Sequence, residues 1–138
     1  MTIKFWIGIC IFLLIAAMGA FYQKCLAHPY CEYDGASIVA IYEVEIVLKD
    51  QSSRKFCSIF CAKHWFDNNK DIIDHVVVTD EIRGNKVESY LAYFVKSDLV
   101  TNETNGNCIH AFQQRQAAIA HADAFNGSPA DDPFVLDE

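Results

Sequence analysis

The sequence predicts an α+β domain in which antiparallel strands pack with two helices, preceded by an N-terminal hydrophobic helix. Three patterns support this. Apolar residues alternate with polar ones over residues 38–48, which is the period of a half-buried strand. A polar turn at residues 50–53 then leads into a returning strand, as in a hairpin. An alanine-rich segment over residues 111–126 has helical composition and ends in Asn-Gly.

The first 25 residues are predicted to be a membrane anchor or a signal segment. An uncharged apolar run begins at Phe5 and ends at Tyr22. As a helix it would span roughly 27 Å, close to the thickness of a bilayer core. This length favours an uncleaved anchor, although Ala17-Met18-Gly19 is an acceptable signal cleavage site. In either case we expect the rest of the chain to be exported to the periplasmic or extracytoplasmic side of the membrane.

Residues 26–127 are expected to form one domain, followed by an acidic C-terminal tail over residues 128–138. Ser58 is the predicted N-cap of a helix that runs to about Asp67. Further strands are expected over residues 72–79 and 89–95, separated by a turn, and a polar loop over residues 102–107. The predicted helix over 111–126 would turn four residues toward the core: Phe112, Ala117, Ala120 and Ala124.

Charge and motif content exclude several function classes. The formal net charge is -7 and the sequence has no basic stripe, so it lacks the electrostatic footprint of a nucleic-acid-binding protein. It also has no nucleophile elbow, phosphate-binding loop or zinc-protease motif. We therefore expect a protein without enzymatic activity.

The cysteine count indicates at least one unpaired thiol. Cys10 lies in the apolar segment, and five cysteines follow it: Cys25, Cys31, Cys57, Cys61 and Cys108. Because five is odd, disulfides within one chain cannot pair all of them. Unpaired thiols without a role are uncommon in an oxidising compartment, which favours a ligand role for these cysteines.

The spacing of three cysteines predicts a soft-metal site. Cys57 should end a strand and Cys61 should lie in the first turn of the next helix, so that both sulfurs face one point that Cys31 and His28 could reach. The three thiolates would suit trigonal Cu(I), and adding the imidazole would complete a tetrahedral zinc shell. The helix N-terminus is expected to lower the pKa of Cys61.

Other interpretations of these residues remain open. Cys31 could form a disulfide with Cys57 or Cys61, or the thiols could be inert and buried. Thiol-disulfide exchange is less favoured because such motifs space their cysteines by two residues. Cys108 and His110 would share one face of an extended segment and are candidate additional ligands, although a buried cysteine beside an exposed histidine is the simpler interpretation.

Several segments, in order, resemble the NosL family of exported accessory proteins associated with copper delivery to nitrous oxide reductase. The resemblance spans residues 27–127. Cys31 falls at the family's Cys-Gly-Met motif, and Cys57-Ser58-Ile59-Phe60-Cys61-Ala62 is similar to its Cys-Ser-x-x-Cys-Ala segment. The later matching segments are Val78-Thr79-Asp80, Ala92-Tyr93-Phe94-Val95, Ala111-Phe112 and Asn126-Gly127. The resemblance implies a NosL-like fold and a copper chaperone-like function.

The sequence also departs from the family. His28 stands at the first cysteine of the family's Cys-x2-Cys, Glu32-Tyr33 replaces Gly-Met, and Thr104 or Asn105 occupies the position of a distal methionine. Because the only methionines are Met1 and Met18, the exported domain has no thioether ligand.

The combined prediction is a membrane-tethered protein that holds copper(I), or alternatively zinc, through Cys31, Cys57 and Cys61, with His28 as a further ligand. Its expected partner is an exported protein that donates or receives the metal. The alternative is a zinc- or disulfide-stabilised interaction module without metal transfer.

Overall fold

The computed structural model describes residues 30–136 and confirms the predicted α+β class. The predicted membrane or signal segment and His28 lie outside the described residues. Within residues 30–136, neither helix is long and apolar enough to cross a membrane.

Four antiparallel strands form the first sheet, in the order β2-β1-β3-β4. Their bounds are Val44–Leu48 for β1, Ser53–Phe56 for β2, Ile73–Thr79 for β3 and Lys86–Glu88 for β4. The predicted hairpin is present as β1 and β2, with Val44 paired to Phe56. The first predicted strand is shorter than expected, because Ala40–Tyr42 forms a 3-10 turn instead.

Three further strands form a second sheet, in the order β6-β5-β7. They are Tyr93–Lys96 for β5, Ile109–Phe112 for β6 and Ser128–Ala130 for β7. The prediction of a strand beginning at residue 89 was wrong, because Ser89–Leu91 forms a 3-10 turn and leaves Leu91 exposed. Adjacent residues Phe94 and Val95 are both buried, so this sheet is covered on both faces.

The helix predicted over residues 111–126 starts later than expected. Ala111 and Phe112 pair with Phe94 and Tyr93 of β5, so that this stretch belongs to β6. Strand pairing across the molecule has overridden the local alanine-rich signal. The second helix, α2, covers Arg115–Ala124, and its buried residue is Ala118. Two predicted core residues of this helix, Ala120 and Ala124, are exposed.

The first helix, α1, covers Ile59–Asp67 and has the predicted N-cap. The backbone N–H of Cys61 donates to Ser58 Oγ, which satisfies one of the unpaired donors of the first turn. Its buried face packs against β1 and β2 through Ile59, Cys61, Ala62 and Phe66. The position of Cys61 within the core therefore follows from where the helix begins.

Residues beyond Gly127, predicted as an acidic tail, pack onto the domain as far as Leu136. β7 pairs with β5, and the buried ring of Phe134 contacts that of Phe66 with their centroids 5.5 Å apart. Leu136 also packs against the core. The domain thus extends further along the chain than residue 127.

A buried carboxylate connects the two edge strands of the first sheet. Glu43 Oε1 lies 3.1 Å from Lys55 Nζ of β2 and 2.7 Å from Lys86 Nζ of β4. Burial alone would raise the pKa of Glu43, but the hydrogen bonds and charges of the two lysines lower it below its ordinary value.

We expect Glu43→Gln to lower the melting temperature by several degrees at pH 7 and by progressively less in acid. The folded pKa of Glu43 lies below its unfolded value, so its contribution is present at neutral pH and is lost as pH falls through the folded pKa. Thermal unfolding of the wild type and the variant between pH 7 and pH 3 measures the difference in melting temperature. This range includes the usual glutamate pKa of about 4.3. A constant difference across this range would contradict the assignment.

Candidate metal centre

A tight loop at the start of the described chain holds Cys31. Gly35 N–H donates to Cys31 C=O, and Cys31 N–H donates to Ala36 C=O, both at 2.8 Å. Gly35 has a φ of +71°, a conformation that glycine adopts without strain. The next residue, Glu32, donates its N–H to Lys55 C=O at 2.9 Å. Lys55 belongs to β2, an edge strand whose outer side has no neighbouring strand in the sheet. The bond therefore holds the loop beside the end of β2, next to Cys57.

Cys57 and Cys61 lie on either side of the cap that begins α1. Cys57 follows β2 directly, and Cys61 is in the first helical turn, as predicted. Their sulfur atoms are 3.7 Å apart and both residues are buried. One strand end and one helix start thus bring two sulfurs together at a fixed separation.

The structure brings the three cysteines Cys31, Cys57 and Cys61 together with a fourth residue, Asp34. One donor atom from each of the four lies within 4.8 Å of the others. Among residues 30–136 every cysteine is a free thiol. The arrangement combines three sulfurs and one carboxylate oxygen in a single group.

Asp34 is the member of this group that sequence reasoning missed. Its Oδ1 accepts the N–H of Ala36 at 3.0 Å, and its Oδ2 lies 3.2 Å from Cys61 Sγ and 3.7 Å from Cys57 Sγ. The available signal was its position three residues after Cys31, a common ligand spacing. Asp34 is exposed, so the group faces solvent on this side.

Asparagine side chains of the 102–107 loop cover the sulfurs from another side. Asn105 Nδ2 lies 3.2 Å from Cys61 Sγ, and Asn102 Nδ2 lies 3.5 Å from Cys57 Sγ. Buried Asn107 fixes the loop to the helix by accepting the N–H of Phe60 at 3.0 Å. Amide donors therefore lie beside both sulfurs on this side.

The pKa values of the two buried thiols are raised. Burial is the largest cause for both, and it raises the pKa of Cys57 to about 11, with further contributions from Cys31. For Cys61, burial raises the pKa by more than the hydrogen bond with Ser58 lowers it, and the carboxylate of Asp34 raises it further. The prediction of a lowered pKa at Cys61 was therefore wrong, because burial overcomes the helix N-terminus. Both residues are protonated at neutral pH in the metal-free protein.

Asp34 is ionised over the whole physiological range. Partial burial would raise its pKa, but hydrogen bonds from the Ala36 N–H, from the thiols of Cys31 and Cys61 and from Asn105 lower it to about 2. The group therefore combines the neutral thiols of Cys57 and Cys61 with a negative carboxylate.

The two candidate additional ligands lie in other surroundings. His110 is fully buried, with Nδ1 2.9 Å from Glu81 Oε2 and Nε2 3.0 Å from Leu99 C=O. The interpretation of His110 as an exposed histidine was thus wrong, because β6 pairing turns it into the interior. Cys108 is partly buried, and neither residue belongs to the four-residue group.

Comparison with known proteins bears on the fold. No protein-family profile and no curated protein matches this chain. Among solved structures, the copper chaperone NosL from Shewanella denitrificans is similar, with a TM-score of 0.61 over 78% of this chain and 90% of that chain. The chain has a NosL-like fold. The sequence identity is 19%, so the likeness concerns the fold alone, and it confirms the fold that the sequence motifs implied.

Within this NosL-like fold, the group lies where three parts of the chain meet. These parts are the loop at the edge of β2, the start of α1 and the asparagine loop before β6. The residues come from distant sequence positions but from elements that the hydrogen bonds above hold in place.

Proposed function

We propose that this protein is a non-enzymatic metal-binding accessory protein that holds Cu(I) through Cys31, Cys57 and Cys61 and passes it to a partner. The observation that carries the proposal is the convergence of three free sulfurs from two separated segments. Thiolate sulfur is the ligand type that Cu(I) prefers over harder donors. The NosL-like fold supports copper as the metal, since the similar solved structure is that of a copper chaperone.

The surroundings of the sulfurs suit an ion that must be both held and released. Burial of Cys57 and Cys61 protects the ion, and the amides of Asn102 and Asn105 can donate to thiolates and offset their charge. The exposed side at Asp34 gives a partner's ligands access. Ligands could then be exchanged one at a time without unfolding the site.

We further propose that the domain works outside the cytoplasm, tethered by the apolar segment that ends at Tyr22. The length and lack of charge of that segment support this location. The partner would be an exported protein that gives or takes a soft metal. Its own ligands would have to enter at the exposed side of the group.

Anaerobic titration of the full-length reduced protein with Cu(I), against a chromophoric Cu(I) chelator, tests the proposal. We expect one Cu(I) per chain. Alkylation followed by mass spectrometry should show that Cu(I) slows modification of Cys31, Cys57 and Cys61, while the rate at Cys108 stays the same because it lies outside the group. No uptake of Cu(I), or protection at Cys108 instead, would contradict the proposal.

A further inference from the structure

We propose that Asp34 is a fourth ligand that gives this site a second mode, the tetrahedral binding of a divalent ion of the zinc class. The inference rests on the three-cysteine site of the proposed function and extends it to a second class of metal. Cu(I) would use the three sulfurs, whereas Zn(II) would use the sulfurs and one oxygen of Asp34. Asp34 would therefore determine which metals the site accepts.

The two oxygens of Asp34 have different roles. Oδ1 accepts the N–H of Ala36 at 3.0 Å, which closes the loop, and it also lies 3.7 Å from Cys57 Sγ. This bond fixes the carboxylate plane and directs Oδ2 toward the sulfurs, 3.2 Å from that of Cys61. A carboxylate held in this way is preorganised to supply one oxygen to an ion among the sulfurs.

The separations among the sulfurs of Cys57 and Cys61 and Oδ2 of Asp34 match those of a tetrahedral zinc site. With Zn–S bonds of about 2.3 Å and a Zn–O bond of about 2.0 Å, tetrahedral geometry places sulfurs about 3.8 Å apart and sulfur and oxygen about 3.5 Å apart. The sulfurs of Cys57 and Cys61 are 3.7 Å apart. Asp34 Oδ2 lies 3.7 Å and 3.2 Å from these sulfurs. An ion could enter among these three donors with side-chain shifts of a few tenths of an ångström, and the donor atom of Cys31 lies within 4.8 Å of the others.

Charge and ligand hardness make Asp34 selective between the two kinds of ion. Three thiolates and one carboxylate carry four negative charges, so a divalent ion neutralises twice as much of the total as Cu(I) does. Zn(II) binds sulfur and carboxylate oxygen alike, whereas Cu(I) gains little from an oxygen ligand. When Cu(I) replaces the thiol protons, Asp34 loses its hydrogen-bond donors at Cys57 and Cys61 and gains no strong bond to the ion in return.

The test compares Asp34→Asn with wild-type full-length protein in anaerobic titrations with Zn(II), Co(II) and Cu(I). Asn keeps an oxygen for the Ala36 N–H, so the loop should remain closed. We expect Zn(II) and Co(II) affinity to fall by at least about tenfold, with weaker visible bands of tetrahedral Co(II). The Cu(I) affinity should change by less than about threefold, which is less than half of one tenfold step in free energy. The change is small because Cu(I) gains little from an oxygen ligand.

Asp50→Asn is the matched control. Asp50 Oδ1 accepts the N–H of Ser52 two residues ahead at 2.9 Å, the same turn bond that Asp34 makes, but it is not part of the four-residue group. This variant should bind all three metals as the wild type does. Asp34→Ser, which keeps an acceptor for the turn without a carboxylate, provides a second variant, and circular dichroism checks the fold of each.

Three results would overturn the inference. Unchanged Zn(II) and Co(II) affinity in both Asp34 variants, or no uptake of these ions by the wild type, would remove Asp34 as a ligand. An equal loss for Cu(I) and Zn(II) would show that Asp34 only supports the loop. Failure of the proposed function has a different signature, in which the wild type binds Zn(II) in an Asp34-dependent way but takes up no Cu(I).

Discussion

Replacing Cys57 and Cys61 together by serine is expected to weaken Cu(I) binding by at least about 10³-fold. Structural zinc sites with four ligands contribute about 10–16 kcal/mol, which corresponds to roughly 3 kcal/mol for each ligand. Because about 1.4 kcal/mol corresponds to one tenfold step in affinity, the loss of two ligands of similar strength is enough to weaken binding by more than about 10³-fold. Competition with a chromophoric Cu(I) chelator under anaerobic conditions measures the change.

Cys108→Ser is the control for this experiment. It removes one thiol from the described part of the chain without touching the four-residue group, so its Cu(I) affinity should equal that of the wild type. Cys31→Ser should lie between the two, because it leaves the sulfur pair of Cys57 and Cys61 in place. Undiminished Cu(I) binding by the double variant would mean that the metal is held elsewhere.

The part of the site that could be predicted from the sequence is the part encoded locally. Ser58 is a cap residue between a strand pattern and a helix pattern, and this alone places Cys57 and Cys61 within one turn of each other. The distant His-x2-Cys pair of His28 and Cys31 added Cys31 to the prediction, and the NosL resemblance agreed with it. No local pattern shows why Cys31 reaches them, because the decisive bond joins Glu32 to Lys55 across the chain.

Sequence reasoning missed Asp34 and the asparagines for a physical reason. An aspartate before glycine is typical of a turn, and its turn bond to Ala36 is indeed present, but the second oxygen has a role that only the folded loop reveals. Likewise Asn105 belongs to a polar loop that would ordinarily be solvated. Its amide contacts Cys61 because Asn107 fixes the loop to α1.

The misplaced helix start and the wrong pKa direction have a common origin. At Phe112, pairing with Tyr93 of β5 outweighs the helical composition of the residues that follow. At Cys61, burial outweighs the favourable helix N-terminus. In both cases the local preference was identified correctly, but contacts between distant parts of the chain were stronger.

Phe66→Ala is expected to lower the free energy of unfolding by about 3–5 kcal/mol, the usual loss for a large aromatic core residue. Phe66 is 1% exposed, and its ring meets that of Phe134, so the change would leave a cavity between α1 and the C-terminal segment. Urea denaturation of the metal-free protein measures the loss. Phe60→Ala, on the same helix but 36% exposed, is the matched control and should cost much less.

Urea denaturation of the metal-free protein also distinguishes a metal carrier from a domain that needs bound metal in order to fold. The main core, which contains Phe56, Phe66 and Ile46, forms from apolar side chains, so chelators should leave the wild type folded. A domain that depends on structural zinc would unfold when the ion is removed. If the metal-free wild type already lacks a cooperative urea transition, then Phe66→Ala cannot destabilise it further, and the interaction-module alternative would replace metal transfer as the explanation of the site.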